Sequence, residues 1–386
     1  METFAYENKN ARRILALGPE SNGNFSVFQS GKIYFSEDFG DLMEDANYLK
    51  FKKKISIFLK EKKIKPDIIL TDSHPSYRTT ALGRDLAKKY AAGHILIQHH
   101  LAHIFSAIGD KRISDDGYAL PKDFFGIAID GTGYGSDGRI WGGEIFKFEN
   151  QKLKVKNIKR IGHLENQIML GGELAIQEPA RMLIAILAKF LSKEEIYAHI
   201  KKYYSAQEFE VLYNQSQQNF NCIETSSTGR ILDAVSLLLG FCGNGRNYKH
   251  EPVYLLEKNS TKPYADLHPK LQITNYKSQT NSKLEIQNLK HYVLPTTPLF
   301  EYLIENLHKD SSRLAATAQL YIAEGLYEIL CHSGLGLESG FFAGGLANNE
   351  AISKYLVSKG VYANKKIPRG DAGLSFGQII FYLSGH

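Results

Sequence analysis

Cysteine is scarce in this chain: 386 residues contain three, Cys222, Cys242 and Cys331. No two are spaced C-x-x-C, which argues against both a zinc finger and a disulfide framework. No apolar run approaches the ~20 residues that a membrane-spanning helix needs. The opening Met1-Glu2-Thr3 carries no apolar signal core. Together these absences point to a cytoplasmic protein without a membrane partner. Concentrated charge is missing too. The net charge of +6 is spread without a basic block, which gives little support for a nucleic-acid partner. The densest stretch, Lys52-Lys53-Lys54 through Lys60 and Lys65, fits the solvated face of an amphipathic helix. No Walker A sequence occurs, which excludes an ordinary P-loop NTPase.

What is present is an ordinary globular composition, 43% hydrophobic and 23% charged. The length suits one large domain or two lobes. Residues 1–12 read as a disordered lead-in. Ile14–Gly18 reads as a buried strand, and Phe25–Phe28 with Lys32–Phe35 as a hairpin across Ser30-Gly31. Helices over about 46–63 and 76–91 alternate with strands at Asp67–Thr71 and His94–Ile97. A second set begins at Phe124–Ile129, with a hairpin over Arg139–Phe148 and Leu153–Ile161. Strand, hairpin and helices thus occur twice, although the residues do not repeat. The pattern is α/β with a largely parallel sheet. It predicts an N-terminal lobe over 13–120 and a C-terminal lobe over 121–386. The second lobe carries a helical insertion at about 173–257 and a polar loop and strand insertion at about 258–290.

His99 and His103 stand four residues apart, so on a helix both rings face one way. Such a pair is either satisfied in place or binds an ion. The preceding strand puts the helix start at the carboxyl edge of a sheet, where α/β sites gather. Asp130 ends another strand. Asp371 precedes a helix, either as its N-cap or as a ligand. Two imidazoles and two carboxylates suit zinc or iron(II) better than magnesium.

Gly133-x-Gly135-x-x-Gly138 mimics a dinucleotide fingerprint, but a strand pattern follows it rather than a helix. It reads instead as a turn whose amides can approach phosphate. Thr225–Gly229-Arg230 precedes an apolar helix and serves either as its cap or, with Arg230, as an anion site. Gly344-Gly345-x-x-Asn348 follows a strand and opens a helix, suited to phosphate or adenine. Gly172-Glu173 precedes another helix, where the acid could hold ribose or favour the helix dipole.

In order along the chain, Leu15–Gly18, Asp72–Tyr77, Gln98–His103, Asp130–Gly135 and Trp141–Glu144 resemble one family. Glu178–Met182, Thr225–Ser227 with Gly229-Arg230, Asp371–Gly373 and Gly377-Gln378 continue the match. The family is the hydrogenase-maturation carbamoyltransferases, the HypF family, whose Kae-type carbamoyl-transferring domain is similar to the tRNA threonylcarbamoyl-adenosine synthase subunit. The resemblance runs from about Ile14 to Gly377. It implies a duplicated actin-like (RNase H-like, ASKHA) fold with a nucleotide and metal cleft between two lobes. It assigns His99, His103, Asp130 and Asp371 to a divalent metal, zinc or iron. It assigns Gly131, Thr132, Gly172, Glu173, Gly344, Gly345 and Asn348 to ATP, AMP or carbamoyl-adenylate, to which the residues themselves add Gly229 and Arg230.

The implied reaction moves a carbamoyl group from carbamoyl-adenylate to the C-terminal cysteine of a HypE-like maturation partner. The alternatives are threonylcarbamoyl transfer to tRNA, carbamoylation of a small metabolite, or a non-catalytic adenylate-binding remnant. The chain departs from the family at Asn22-Gly23-Asn24, at Glu173 and at Tyr248-Lys249-His250. Family members also carry acylphosphatase, zinc-finger and YrdC-like modules before this domain. The expectation here is a separate carbamoyl-adenylate-forming protein.

Overall fold

The computed structural model describes residues 1–8, 11–115, 118–151, 154–277, 288–333 and 339–385. Two sheets organise it. The first is built from β1 (Glu2–Ala5), β2 (Ile14–Ala16), β3 (Ser26–Gln29), β4 (Lys32–Phe35), β5 (Ile68–Asp72) and β6 (Gly93–Ile97). Their order is β1-β4-β3-β2-β5-β6. The residues expected as a disordered lead-in differ from that reading. Glu2–Ala5 pair antiparallel with Lys32–Phe35, and Tyr6 is buried. The edge of the hairpin supplies free backbone groups, and a short strand satisfies them.

The second sheet uses β7 (Asp123–Tyr134), β8 (Ile140–Gln151), β9 (Lys154–Leu164), β10 (Gln167–Leu170), β11 (Cys222–Thr225), β12 (Gln272–Lys277), β13 (Asn288–Leu294), β14 (Gly340–Ala343) and β15 (Tyr362–Ala363). Its main path runs β12-β13-β9-β8-β7-β14-β15. The pairings repeat between sheets. β2, β3 and β4 form an antiparallel meander with β5 and β6 parallel beside β2. β7, β8 and β9 do the same, with β14 and β15 parallel beside β7. The duplication read from element order is therefore present in the hydrogen bonding. Part of the polar insertion, residues 278–287, lies outside the described residues; its flanks pair as β12 and β13 and extend the sheet.

On the outer face of the first sheet lie α1 (Asp45–Glu61) and α2 (Arg78–Tyr90), with Phe51, Ile55, Phe58 and Leu82 buried in the cluster they share with Leu15 and Val27. The lysines of α1 stay exposed apart from half-buried Lys54, as the amphipathic pattern requires. α3 (His99–Ser114) lies between the sheets. The helical insertion contains α4 (Leu174–Gln177), α5 (Pro179–Leu187), α6 (Lys193–Ile200), α7 (Ala206–Gln217), α8 (Thr228–Leu238) and α9 (Glu251–Lys258). Ser205 and Glu208 form a reciprocal cap at the start of α7. Further on come α10 (Thr297–Glu305), α11 (Ser311–His332), α12 (Glu350–Ser358) and α13 (Leu374–Gly385).

The last helix corrects a lobe drawn through residue 386. α13 crosses back to the first sheet, where Phe376 meets Phe4 and Phe35 edge to face with ring centroids 5.9 and 6.1 Å apart. It also packs on α3, the helix that follows β6 as α13 follows β15. A Cβ at Gly377 would stand 1.9 Å from the Ala102 carbonyl oxygen, so the two backbones touch at that glycine. One apolar cluster, with Ile14, Phe28, Ile104, Phe124, Phe341 and Ile380, joins both sheets through this helix pair.

Fully buried Asp110 of α3 accepts the backbone N–H groups of Lys365, Lys366 and Ile367 at 2.9, 2.7 and 2.6 Å. It also accepts the Tyr362 hydroxyl at 2.6 Å. Removing a buried acceptor costs about 1–3 kcal/mol for each donor left unmet. Asp110→Ala is therefore expected to lower unfolding stability by at least about 3 kcal/mol, measured by urea titration with far-UV circular dichroism.

Candidate metal and nucleotide site

The parallel pairing of β5 and β6 sets Asp72 beside Ile97, at the carboxyl ends of both strands. Two residues on, α3 begins, with the Gln98 side chain accepting the Leu101 N–H. His99 and His103 then fall on one face. The His99 Nδ1 lies 2.6 Å from Asp72 Oδ2, and its Nε2 lies 3.2 Å from Asp130 Oδ2. The His103 Nε2 stands 3.1 Å from the His99 Nε2 and 3.4 Å from Asp371 Oδ1. Ligand atoms of His99, His103, Asp130 and Asp371 all lie within 4.8 Å of one another. The four residues expected to form one site are together.

Two of them sit differently from the sequence reading. Asp130 does not end its strand: β7 continues to Tyr134, with an irregular register between Ile129 and Gly133. That break turns the carboxylate toward α3 instead of along the ladder. The turn itself is the tight link at 135–139, where the Gly135 N–H meets the Arg139 carbonyl. Asp371 caps no α-helix; it opens a single 3-10 turn before α13 and makes no capping bond.

The donor set fits a divalent cation. Two imidazole nitrogens at 3.1 Å need a proton or a cation between them. The Asp371 Oδ1 is buried and has no hydrogen-bond partner among the described residues. Two nitrogens and two carboxylate oxygens are what zinc or iron(II) accepts. Asp72 holds the far nitrogen of His99, the usual way a carboxylate fixes a ligating ring. It was quoted in the resemblance without a role. The signal available was an acid at the end of the strand adjacent to the one feeding the histidines.

The cluster opens onto a cleft of about 840 Å³. Gly131, Thr132, Arg230, Gly345 and Asn348 line it, together with Tyr77, Arg246, Lys249 and Tyr254. Four other expected contacts do not. Gly344 has φ +119° and a Cβ there would stand 2.1 Å from the Ile129 carbonyl oxygen; it lets two strands meet. Gly229 faces the Gly131 backbone, with 2.7 Å to that Cα from a built Cβ. Gly172 lies in the turn under Ile223. Glu173 is exposed and lies close enough to influence His74, not on the cleft wall. Gly345–Asn348 form a 3-10 turn, and the α-helix expected there starts at Glu350 behind its Asn349 cap.

The Ser227 cap does what the sequence allowed: its Oγ accepts the Arg230 N–H at 3.1 Å. It also donates to the Gly131 carbonyl, tying α8 to the Asp130 bulge. Glu144, fully buried, accepts from Ser226 and Arg160, which anchors the neighbouring strand.

Burial would strip the proton from His99, but Asp72, Asp130 and Asp371 outweigh it and raise this imidazole well above 6.5. His103 is raised as well: burial opposes its charge, and Asp130 and Asp371 prevail. A group raised on folding adds stability below its unfolded value and loses it as pH climbs through the folded one. With chelator present, His99 should therefore stabilise the fold fully below about pH 6.5 and progressively less above it. Thermal unfolding of Asp72→Asn across that range should show a shallower pH dependence than the unsubstituted chain.

Comparison with known proteins places this geometry. Residues 9–110 match the HypF Kae1-like domain model, and 126–378 match the carbamoyltransferase, Kae1-like domain, second subdomain. The probable carbamoyltransferase HypF of Methanocaldococcus jannaschii is 34% identical over 390 residues, covering 97% of this chain and 47% of that protein. The chain thus spans about half the length of that relative. A carbamoyltransferase HypF homolog of Cupriavidus necator is 26% identical over 373 residues and is itself 90% covered. The crystal structure of T. kodakarensis HypF superposes with a TM-score of 0.81 at 28% identity, over 99% of this chain and 49% of that one. Full-length HypF in a phosphate- and nucleotide-bound form gives 0.84 at 24% identity, over 99% and 57%, which speaks for the fold alone. No helix among the described residues is long and apolar enough to cross a membrane. The chain belongs to the Kae1-like carbamoyltransferase domains of the HypF family, with their actin-like fold.

Proposed function

We propose that this chain is a metal-dependent carbamoyltransferase that moves a carbamoyl group from carbamoyl-adenylate to an acceptor thiol. The observation that carries the reading is the convergence of His99, His103, Asp130 and Asp371 at the end of a nucleotide-sized cleft. The relatives, themselves named as carbamoyltransferases, support the chemistry. In the reaction a C–S bond forms, the bond from the carbamoyl carbon to the phosphate oxygen breaks, and AMP leaves with the electron pair. The thiol proton passes to solvent.

A zinc or iron(II) ion held by the four ligands would polarise the carbamoyl or phosphoryl oxygen as a Lewis acid. The rest is done by the chain. Asp72 keeps the His99 ring turned toward the cleft. The Gly131 and Gly345 N–H groups, now on the Asp130 Oδ1 at 2.8 and 3.2 Å, hold that carboxylate in place. Arg230, Thr132 and Asn348 face the bound adenylate from the cleft wall. The acceptor in this reading is the C-terminal cysteine of a HypE-like maturation partner.

The test is incubation with carbamoyl-adenylate and candidate acceptors, read by mass spectrometry for one added carbamoyl group. His103→Ala is expected to retain the fold while losing bound metal and transfer together. Metal content by emission spectrometry and acceptor mass are the two readouts. Transfer at undiminished rate by a metal-free variant would overturn the reading. Asp72→Asn should weaken metal binding by roughly 10–100-fold, measured by competition with a chromogenic chelator.

A further inference from the structure

The cleft wall contains two cations that share one counter-ion. Arg230 of α8 reaches Asp233 with Nη2 2.7 Å from Oδ2. Arg246, on the link between α8 and α9, approaches the same oxygen from the other side. Both guanidinium side chains are only 4% exposed, and both line the cleft. Arg246 also donates from Nη1 to the Lys249 carbonyl at 2.7 Å.

The remaining donors are unmet. Arg230 Nε and Nη1 and Arg246 Nε are buried without a hydrogen-bond partner among the described residues, as is the Asp233 Oδ1. Burying a charge without full pairing is costly, so natural sites supply a partner for it. Other nearby carboxylates are engaged. Asp130 serves the imidazoles and two backbone amides, and Glu251 accepts from the Asn247 backbone and side chain. One carboxylate thus faces two guanidinium forks, leaving one positive charge directed at the cleft. Planar forks of this kind match the oxygens of a phosphoryl group.

We propose that Arg230 and Arg246, braced by Asp233, form a seat for a phosphoryl anion, distinct from the four metal ligands in the same cleft. This rests on the nucleotide reading above in naming the anion's source: the phosphate of an adenylate, which gains charge as it leaves. Free phosphate has the same chemistry and could fill the same seat. The seat makes the cleft selective for nucleotides over nucleosides. Arg246 is then a specificity residue that the sequence did not reveal, because it falls in the irregular link between α8 and α9, just before the segment where the chain departs from the family.

The experiment is calorimetric titration of the full chain with AMP, adenosine and inorganic phosphate, before and after Arg246→Gln. In this variant Arg230 and Asp233 remain a balanced pair, so the fold should persist, as checked by thermal unfolding. Charge-assisted hydrogen bonds of this type correspond to roughly 10-fold or more in affinity. AMP is expected to bind at least about 10-fold more tightly than adenosine, and Arg246→Gln to remove that preference while leaving adenosine affinity unchanged. Equal affinity for AMP and adenosine in the unsubstituted chain would overturn the seat but leave the nucleotide site standing. So would an Arg246→Gln variant that keeps the full preference. If neither AMP nor adenosine binds, the nucleotide reading fails. Phosphate binding that Arg246→Gln abolishes would then still establish the seat, and absence of phosphate binding would sink it. If Arg246→Gln unfolds, Arg246→Lys supplies the same comparison, keeping charge without the fork. A weakened AMP preference and weakened phosphate affinity there support a seat that needs the guanidinium fork; unaltered affinity for both overturns it.

Discussion

Helix α3 is the element on which the rest of the site depends. It carries His99 and His103 one turn apart, and the same helix positions the segment that brings Asp371. Ser106 accepts from Asn364 at 3.1 Å, and Asp110 gathers the amides of 365–367. Beyond Asp371, α13 is seated against the Ala102 carbonyl through Gly377, where any side chain would collide. Asp371 is thus located from both sides by the helix that holds its two imidazole neighbours. Desolvating four ionisable groups is expensive, and here the groups offset that cost against one another. Asp130 falls well below the ordinary carboxylate range despite its burial because His103 and His99 donate to it. A small rotation of α3 would cost these pairs their geometry without returning their hydration.

The duplicated sheets explain how residues so far apart in sequence meet. Asp72 ends β5, the histidines follow β6, Asp130 lies in β7, and Asp371 follows β15 on the way to α13. In each half, the parallel strands end toward the same cleft, as expected for ligand sites in open α/β sheets. α3 and α13 occupy corresponding places in the two halves, and each brings ligands at or near its own start. The candidate metal site thus draws on corresponding elements of both halves, while its side chains do not repeat.

Legibility from sequence followed the range of the interaction concerned. The i, i+4 histidines on a helix after a strand were readable because period and position are local properties. The hairpin at Ser30-Gly31 was readable for the same reason. Asp130 was placed at a strand end because glycines signal turns, yet the strand runs on through them. What holds it is the α8 cap, where Ser227 ties to Gly131 across 96 residues. The return of α13 to the first sheet was invisible for a comparable reason. Its composition is apolar on nearly all sides, which signals burial but not the partner. Glu173 and Gly344 were read from local glycine and acid patterns; the structure gives Gly344 the close approach of two strands and leaves Glu173 exposed off the cleft wall.

The cleft is electrically divided, and the division follows the chemistry proposed for it. Its deep end contains two carboxylates whose charge is matched by imidazoles, a setting for a cation and a polarised carbonyl. Its wall contains two guanidinium groups and Lys249, whose ammonium reaches Ser21 and stands 3.6 Å from Asp371 Oδ2. In acyl transfer from an adenylate, charge builds on the leaving phosphate as the acyl carbon changes partners. Fixed donors stabilise that charge most when they need not reorganise. Buried, braced guanidinium groups meet that condition better than an exposed lysine, whose side chain is 54% accessible. Lys249 plays a different structural part: it bridges the first-sheet loop at Ser21 to the C-terminal segment at Asp371. The same cleft thus sets two buried, braced guanidinium groups against one exposed ammonium, and only the first kind meets the condition for stabilising charge without reorganisation.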